Sequence, residues 1–151
     1  METTDLGHGG IPANPYHPHA WLLADPEIGE GCWIGPFSVL DGSGGLSIGR
    51  GTSIGPGAQV YTHSSVARTI SEGATPIERR ATRIGNYVHV GPNAVVLMGC
   101  NIGDHTVIAP GAVVSEGTVV PPYSVVFGVP ARIVKNGTKK FAVGEAAPEA
   151  S

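Results

Sequence analysis

The chain has 151 residues, enough for one domain and scarcely for two. Its 23 glycines and 13 prolines stand beside only 14% charged and 41% hydrophobic residues, which excludes a charge-rich disordered chain and a bundle of long helices. The net charge of −3 is the wrong sign for a nucleic-acid groove or an anionic membrane surface.

Glycine does not recur every third residue, so a collagen-like chain is also excluded. No run of 18 apolar residues offers a membrane span. The opening METTDLGHGG lacks the basic and apolar regions of a secretory leader, so none is expected. Cys32 and Cys100 stand far apart, without the spacing of a thiolate metal site or a disulfide framework. A cytoplasmic protein is the expectation.

Residues 1–27 read as an N-terminal segment and cap, in which Leu22 to Glu27 form an irregular first hexad. A six-residue period then takes over. Aliphatic residues fall at Ile28, Ile34 and Leu40, then at Ile48, Ile54 and Val60. They resume at Ile84, Val90, Val96, Ile102, Ile108, Val114, Val120 and Val126. The fifth place of each hexad is small or β-branched, as at Ser38, Thr52, Ala58, Ala94, Thr106 and Ser124. A six-residue step is one short strand and one tight turn, and three steps close an 18-residue triangular coil. Stacked coils satisfy one another's backbone groups at about 4.8 Å per rung. Positions one and five then point inward, which places Cys32 and Cys100 as packing thiols and Trp33 outward.

The predicted fold class is all-β: a parallel β-helix of hexapeptide repeats over residues 28–131, with one protruding loop. Two interruptions break the period. The stretch DGSGGLS, Asp41 to Ser47, adds two residues at one corner, and residues 66–83 form a longer excursion. Within it, SSVARTIS can form a short helical turn. A loop of that length is either a binding loop or a tolerated surface insertion. Outward valines (Val95, Val107, Val113 and Val125) leave flat apolar faces, and a three-sided prism suits a homotrimer. Residues 132–151 read as a polar C-terminal tail whose last ten residues are expected to be mobile.

Three stretches carry a family resemblance: GLSIGRGTSIGPGAQVYTHSS (45–65), RIGNYVHVGPNAVVLMGCNIGDHTVIAPGAVV (83–114) and PPYSVVFGVPARIVK (121–135). They resemble the hexapeptide-repeat acyltransferases, in particular the branch of galactoside, maltose and polysaccharide O-acetyltransferases. The similarity covers most of residues 16–136. It implies a left-handed coil, against the usual right-handed crossover. It implies acetyl-CoA as acyl donor and a small-molecule sugar acceptor, with direct transfer assisted by a histidine base and no metal. His63, where the long loop leaves the coil, matches that base. An imidazole suits the task because its ordinary pKa lies near neutrality. A plain surface histidine is the alternative.

Beyond His63 the stacked positions are Gly99 and Gly117, which leave room beside the ring for a pantetheine arm. The resemblance implies that coenzyme A lies in a groove between two subunits. Gly99, Ala109 and Ala112 are the candidate pantetheine contacts, and Arg132 and Lys135 the candidate phosphate contacts. A backbone N–H near Gly99 or Ala109 is the candidate oxyanion donor. His89 stands where relatives often carry a large aromatic near the acceptor. Arg79, Arg80 and Arg83 are candidates to hold phosphates of the donor or of a nucleotide-sugar acceptor; solvated charges are the alternative. His105 stacks by register with Tyr87 and Tyr123, which reads as structural. His17 and His19 lie in the cap.

Glu116 stands where relatives commonly carry a lysine, and two extra residues precede PPYS. Two further readings therefore remain open: an N-acyltransferase acting on a nucleotide-linked amino sugar, and a non-catalytic trimeric scaffold. The γ-class carbonic anhydrases share the coil but place zinc-ligating histidines where this chain has Pro92 and Met98, so that reading is disfavoured.

Overall fold

The structure is a computed structural model, and it describes residues 11–144. The opening METTDLGHGG and the chain end from residue 145, where mobility is expected, lie outside the described residues. The six-residue step builds three parallel sheets that form the faces of a prism. The first face stacks Trp21–Leu23, Val39–Asp41, Gln59–Val60, Val95–Val96 and Val113–Val114. The second stacks Glu27–Ile28, Leu46–Ile48, Thr82–Ile84, Asn101–Ile102 and Val119–Val120. The third stacks Trp33–Ile34, Ser53–Ile54, His89–Val90, Val107–Ile108 and Val125–Phe127. The irregular N-terminal hexad is a true rung, since Leu22 pairs with Leu40.

The core is the set of residues that the period selects. Ile34, Leu40, Ile48, Ile54, Val60, Ile84, Val90 and Val96 are all buried, and so are Ser38, Thr52 and Thr106 at fifth positions. The buried hydroxyls bond to turn carbonyls, as Thr52 Oγ1 does to Gly85 O at 2.9 Å, so no polar cost is left open there. Cys100 lies in the core, whereas Cys32, in an outer coil, is only half-buried. Trp33 faces outward and is 54% exposed.

The fourth place of the hexad turns the corner and takes a left-handed conformation. Gly51, Gly57, Gly99, Gly111 and Gly117 adopt it without strain, while Phe37, Tyr87, Asn93, His105 and Tyr123 adopt it at φ of 53° to 61°. At one corner Tyr87, His105 and Tyr123 form a stacked column, with ring centroids 5.4 and 4.8 Å apart.

Both interruptions fall at the corner between the first and second faces. Val60 pairs directly with Val96, so the long excursion adds no coil. It leaves as a two-stranded ribbon, His63–Ser64 antiparallel to Glu78–Arg79, and carries a helix at Val66–Ile70. It ends earlier than expected. Thr82 and Arg83 are already back in the second face, paired with Leu46 and Ser47, because the coil's hydrogen bonds recapture them.

The C-terminal segment also departs from expectation. Arg132–Val134 folds back antiparallel onto Val125–Phe127. Thr138 is then buried, donating to His105 O at 2.6 Å. A last coil with open backbone groups needs such a cover, which explains why the chain does not leave as a free tail. No helix among the described residues is long and apolar enough to cross a membrane.

Because Ile54 is fully buried between two rungs, the Ile54→Ala variant should lose about 2–5 kcal/mol of stability. Urea unfolding followed by circular dichroism checks this.

Candidate active site

The corner between the first and second faces gathers the polar groups that the core excludes. Asp41 ends a first-face strand and begins the two-residue insertion. It is 1% exposed, an unusual setting for a carboxylate. Four groups surround it. Ser43 N donates to Oδ1 at 3.0 Å, and Thr62 N donates to Oδ2 at 2.9 Å. The Thr62 hydroxyl lies 3.0 Å from Oδ2 and 2.8 Å from the Asp41 carbonyl oxygen. The fourth is His63, whose Nδ1 lies 2.5 Å from Oδ2. Burial alone would push the Asp41 carboxyl up. Hydrogen bonds from Ser43, His63 and Thr62 outweigh it and hold the group well below the usual carboxylate range.

An ionised Asp41 fixes the state of its neighbour. A carboxylate only accepts, so Nδ1 of His63 carries a proton, and in the neutral ring the lone pair lies on Nε2. The His63 side chain is one-third exposed. Tyr61 packs edge-on to the imidazole, with centroids 6.0 Å apart. Its own hydroxyl is raised above its ordinary value by burial and by the Asp41 charge, so it stays neutral. Gly44 N donates to Thr62 Oγ1 at 2.8 Å, and a Cβ at Gly44 would collide with the Thr62 carbonyl. The insertion therefore needs glycine there in order to bring Asp41 against His63.

His63 takes the fourth place of its hexad but not the corner conformation. It lies in the extended strand of the ribbon, opposite Arg79. Arg80 follows, its N–H bonded to Thr62 O at 3.0 Å. Its guanidinium runs over Gly99 and Gly117 to Glu116, with Nη2 2.9 Å from Oε2. His63, Arg79, Arg80 and Gly99 thus come together at one corner. Arg83 lies on the second face beside them, where it lines a groove of about 460 Å³ with Ser47, Gly99 and Asn101.

The other candidates lie elsewhere in the chain. His89 is exposed on the third face, paired with Ser53 and Val107. Ala109 follows a third-face strand, and Arg132 and Lys135 sit on and just beyond the antiparallel return. Ala112 is a correction. It is fully buried, because the fifth place of the hexad points into the prism, and it cannot touch a cofactor. Of the candidate oxyanion donors, the N–H groups of Gly99 and Ala109 themselves are already engaged. Gly99 N already donates to Thr82 Oγ1 at 3.0 Å, and Ala109 N to Val126 O at 2.7 Å. Cys100 is held protonated by burial. No group of three or more potential metal ligands occurs among the described residues.

Asp41 is the member of this candidate site that sequence reasoning missed. The signal was present as a carboxylate at the first residue of an insertion one coil before His63. It becomes legible only once the insertion's register is known.

The molecule is a parallel β-helix with a histidine–carboxylate pair set at a loop-bearing corner. The family profile described as "Bacterial transferase hexapeptide (six repeats)" matches residues 81–116. Nodulation protein L of Rhizobium meliloti (strain 1021) is 36% identical over 129 residues, covering 85% of this chain and 68% of that protein. The chain belongs to the hexapeptide-repeat transferase family. Among solved structures it resembles a hexapeptide-repeat acetyltransferase from Vibrio cholerae O1 biovar eltor complexed with acetyl coenzyme A. The TM-score is 0.63 and the identity 35%, over 72% of this chain and 58% of that one. A maltose O-acetyltransferase from Clostridium difficile 630 shares the fold, with TM-score 0.62 and 24% identity over 77% of this chain and 65% of that one. The chain therefore spans only about three-fifths of the length of these solved relatives.

The depressed Asp41 carboxyl stabilises the fold at pH values above the ordinary carboxylate range, about 4, and that stabilisation is lost as pH falls toward the folded value. The melting temperature of the wild-type chain should drop as pH is lowered below about 4. Asp41→Asn should melt lower at neutral pH and show a flatter acid limb. Equal acid slopes in the two proteins would remove Asp41 as the source.

Proposed function

We propose that the chain transfers an acetyl group from acetyl-CoA to a sugar hydroxyl, with His63 as general base. One observation carries the reading: buried Asp41 accepts from Nδ1 of partly exposed His63, an arrangement that in the neutral ring puts the base lone pair on Nε2. The likeness to an acetyltransferase complexed with acetyl coenzyme A supports the donor. The acceptor's class rests on the resemblance to sugar O-acetyltransferases.

In the proposed step, the acceptor hydroxyl gives its proton to Nε2 as its oxygen bonds to the thioester carbonyl carbon. The C–S bond then breaks. The imidazolium returns the proton to the departing thiolate, so protons and charge balance over the cycle. Asp41 stabilises the imidazolium while it exists, and because it is already ionised no proton has to move to it.

The working unit in this reading is a homotrimer. Half-buried Val95, Val107, Val113 and Val125 form outward columns on the first and third faces. The candidate donor contacts Ala109, Arg132 and Lys135 lie on the third face or its return, apart from the His63 corner of the same chain. A donor lying between two protomers would meet His63 from one and these residues from the other. His89 would reach the acceptor in the same way, and Arg79 and Arg83 flank it from the His63 side.

His63→Ala should lower kcat by about 10²–10⁴-fold while leaving the sedimentation coefficient unchanged; the melting temperature should fall, because buried Asp41 loses one of its partners. Thiol release with acetyl-CoA and a panel of pyranosides measures it. Unchanged turnover in that variant would refute the assignment.

A further inference from the structure

The Arg80–Glu116 pair has no role in the proton transfer just described, yet it lies on the same corner. Arg80 leaves the ribbon one residue after the partner of His63, and its backbone N–H is bonded to Thr62. Its Nη1 lies 3.4 and 3.5 Å from where side chains of Gly99 and Gly117 would begin, so the guanidinium rests in contact over these two turns. Nη2 meets Glu116 through a single contact of 2.9 Å. Among the described residues the guanidinium makes no other hydrogen bond. A guanidinium carries five N–H donors in a fork that fits a phosphate on two sides, and a carboxylate held by one contact uses little of that capacity. The pair is also accessible: the side chains are 50% and 42% exposed. Exposed pairs of this kind are weak and readily exchanged.

We propose that Glu116 is an internal competitor at an anion site: it occupies Arg80 in the empty corner, and a phosphate-bearing substrate displaces it. The proposal rests on the transferase reading, because it takes the Gly99–Gly117 corner as a place where substrate lies. Arg79, which precedes Arg80 at the end of the return strand, adds a second positive charge to this part of the chain. Glu78, on the same strand, is paired across the ribbon with Ser64. Displacement makes Glu116 a brake on affinity, since every phosphate ligand must first break the Arg80–Glu116 contact. The phosphate could belong to the acyl donor or to a phosphorylated acceptor.

The test is calorimetry on the full chain in three forms: wild type, Glu116→Gln, and Glu116→Gln with Arg80→Gln. Each is titrated with coenzyme A, S-acetylpantetheine, glucose 1-phosphate, glucose and inorganic pyrophosphate. Removing the competitor should tighten a phosphate ligand by about fivefold, and removing Arg80 as well should abolish the gain. S-acetylpantetheine and glucose, which carry no phosphate, should bind all three proteins alike. A gain for coenzyme A over S-acetylpantetheine assigns the anion to the donor, and a gain for glucose 1-phosphate over glucose assigns it to the acceptor. If no phosphate ligand responds to Glu116→Gln, or if the gain survives loss of Arg80, the proposal is overturned and the pair is only a structural tether. A wild-type chain that binds neither coenzyme A nor S-acetylpantetheine counts against the transferase reading. Pyrophosphate binding in the same three proteins then still decides the anion site.

Discussion

Backbone pairing between successive coils is the constraint from which the rest follows. Each rung is only two or three residues long, so its N–H and C=O groups are satisfied by the coils before and after it rather than within itself. A coil of any other length would put inward aliphatics out of line with their neighbours. Extra residues must therefore be expelled at a corner, where a turn can swell without disturbing the ladder. Both insertions in this chain obey that rule, and the pairings Leu40 with Val60 and Val60 with Val96 continue across them.

Expulsion at the corner creates the site. The short insertion turns back through Ser43, which donates to Asp41, and Gly44, which donates to the Thr62 hydroxyl beside it. The long one draws His63 out of the corner conformation into an extended ribbon, which aims its ring at that carboxylate. A regular hexad has neither feature, since its fourth residue turns left-handed and presents its side chain to solvent. A buried carboxylate is costly unless it is fully bonded. Here the bonds that make its burial tolerable are the same ones that fix the histidine proton on Nδ1.

The three corners of the prism use the same backbone geometry for different ends. Glycine at Gly99 and Gly117 leaves one corner bare for Arg80. At the next corner the equivalent places are Tyr87, His105 and Tyr123. Their left-handed conformation costs on the order of 1–2 kcal/mol each, and the stacked rings offset part of it. The C-terminal return is fastened beside that column, where Thr138 donates to the His105 carbonyl oxygen.

The spacing of aliphatic and small residues determined the prism, its inward set and the corner of each interruption, because a period of six fixes which side chains meet. It also put Gly99 and Gly117 one and two coils beyond His63, since stacking is a matter of counting in steps of eighteen, but the side chain that lies over them is Arg80. It misassigned Ala112, where the resemblance competed with the inward rule that the period itself supplies. Only the tertiary structure decided that Asp41 meets His63, that Arg80 reaches Glu116, and that residues after Arg132 fold back. Each of these depends on where an aperiodic segment returns to the coil. That point is set by hydrogen bonds between residues distant in sequence, and no repeat encodes them.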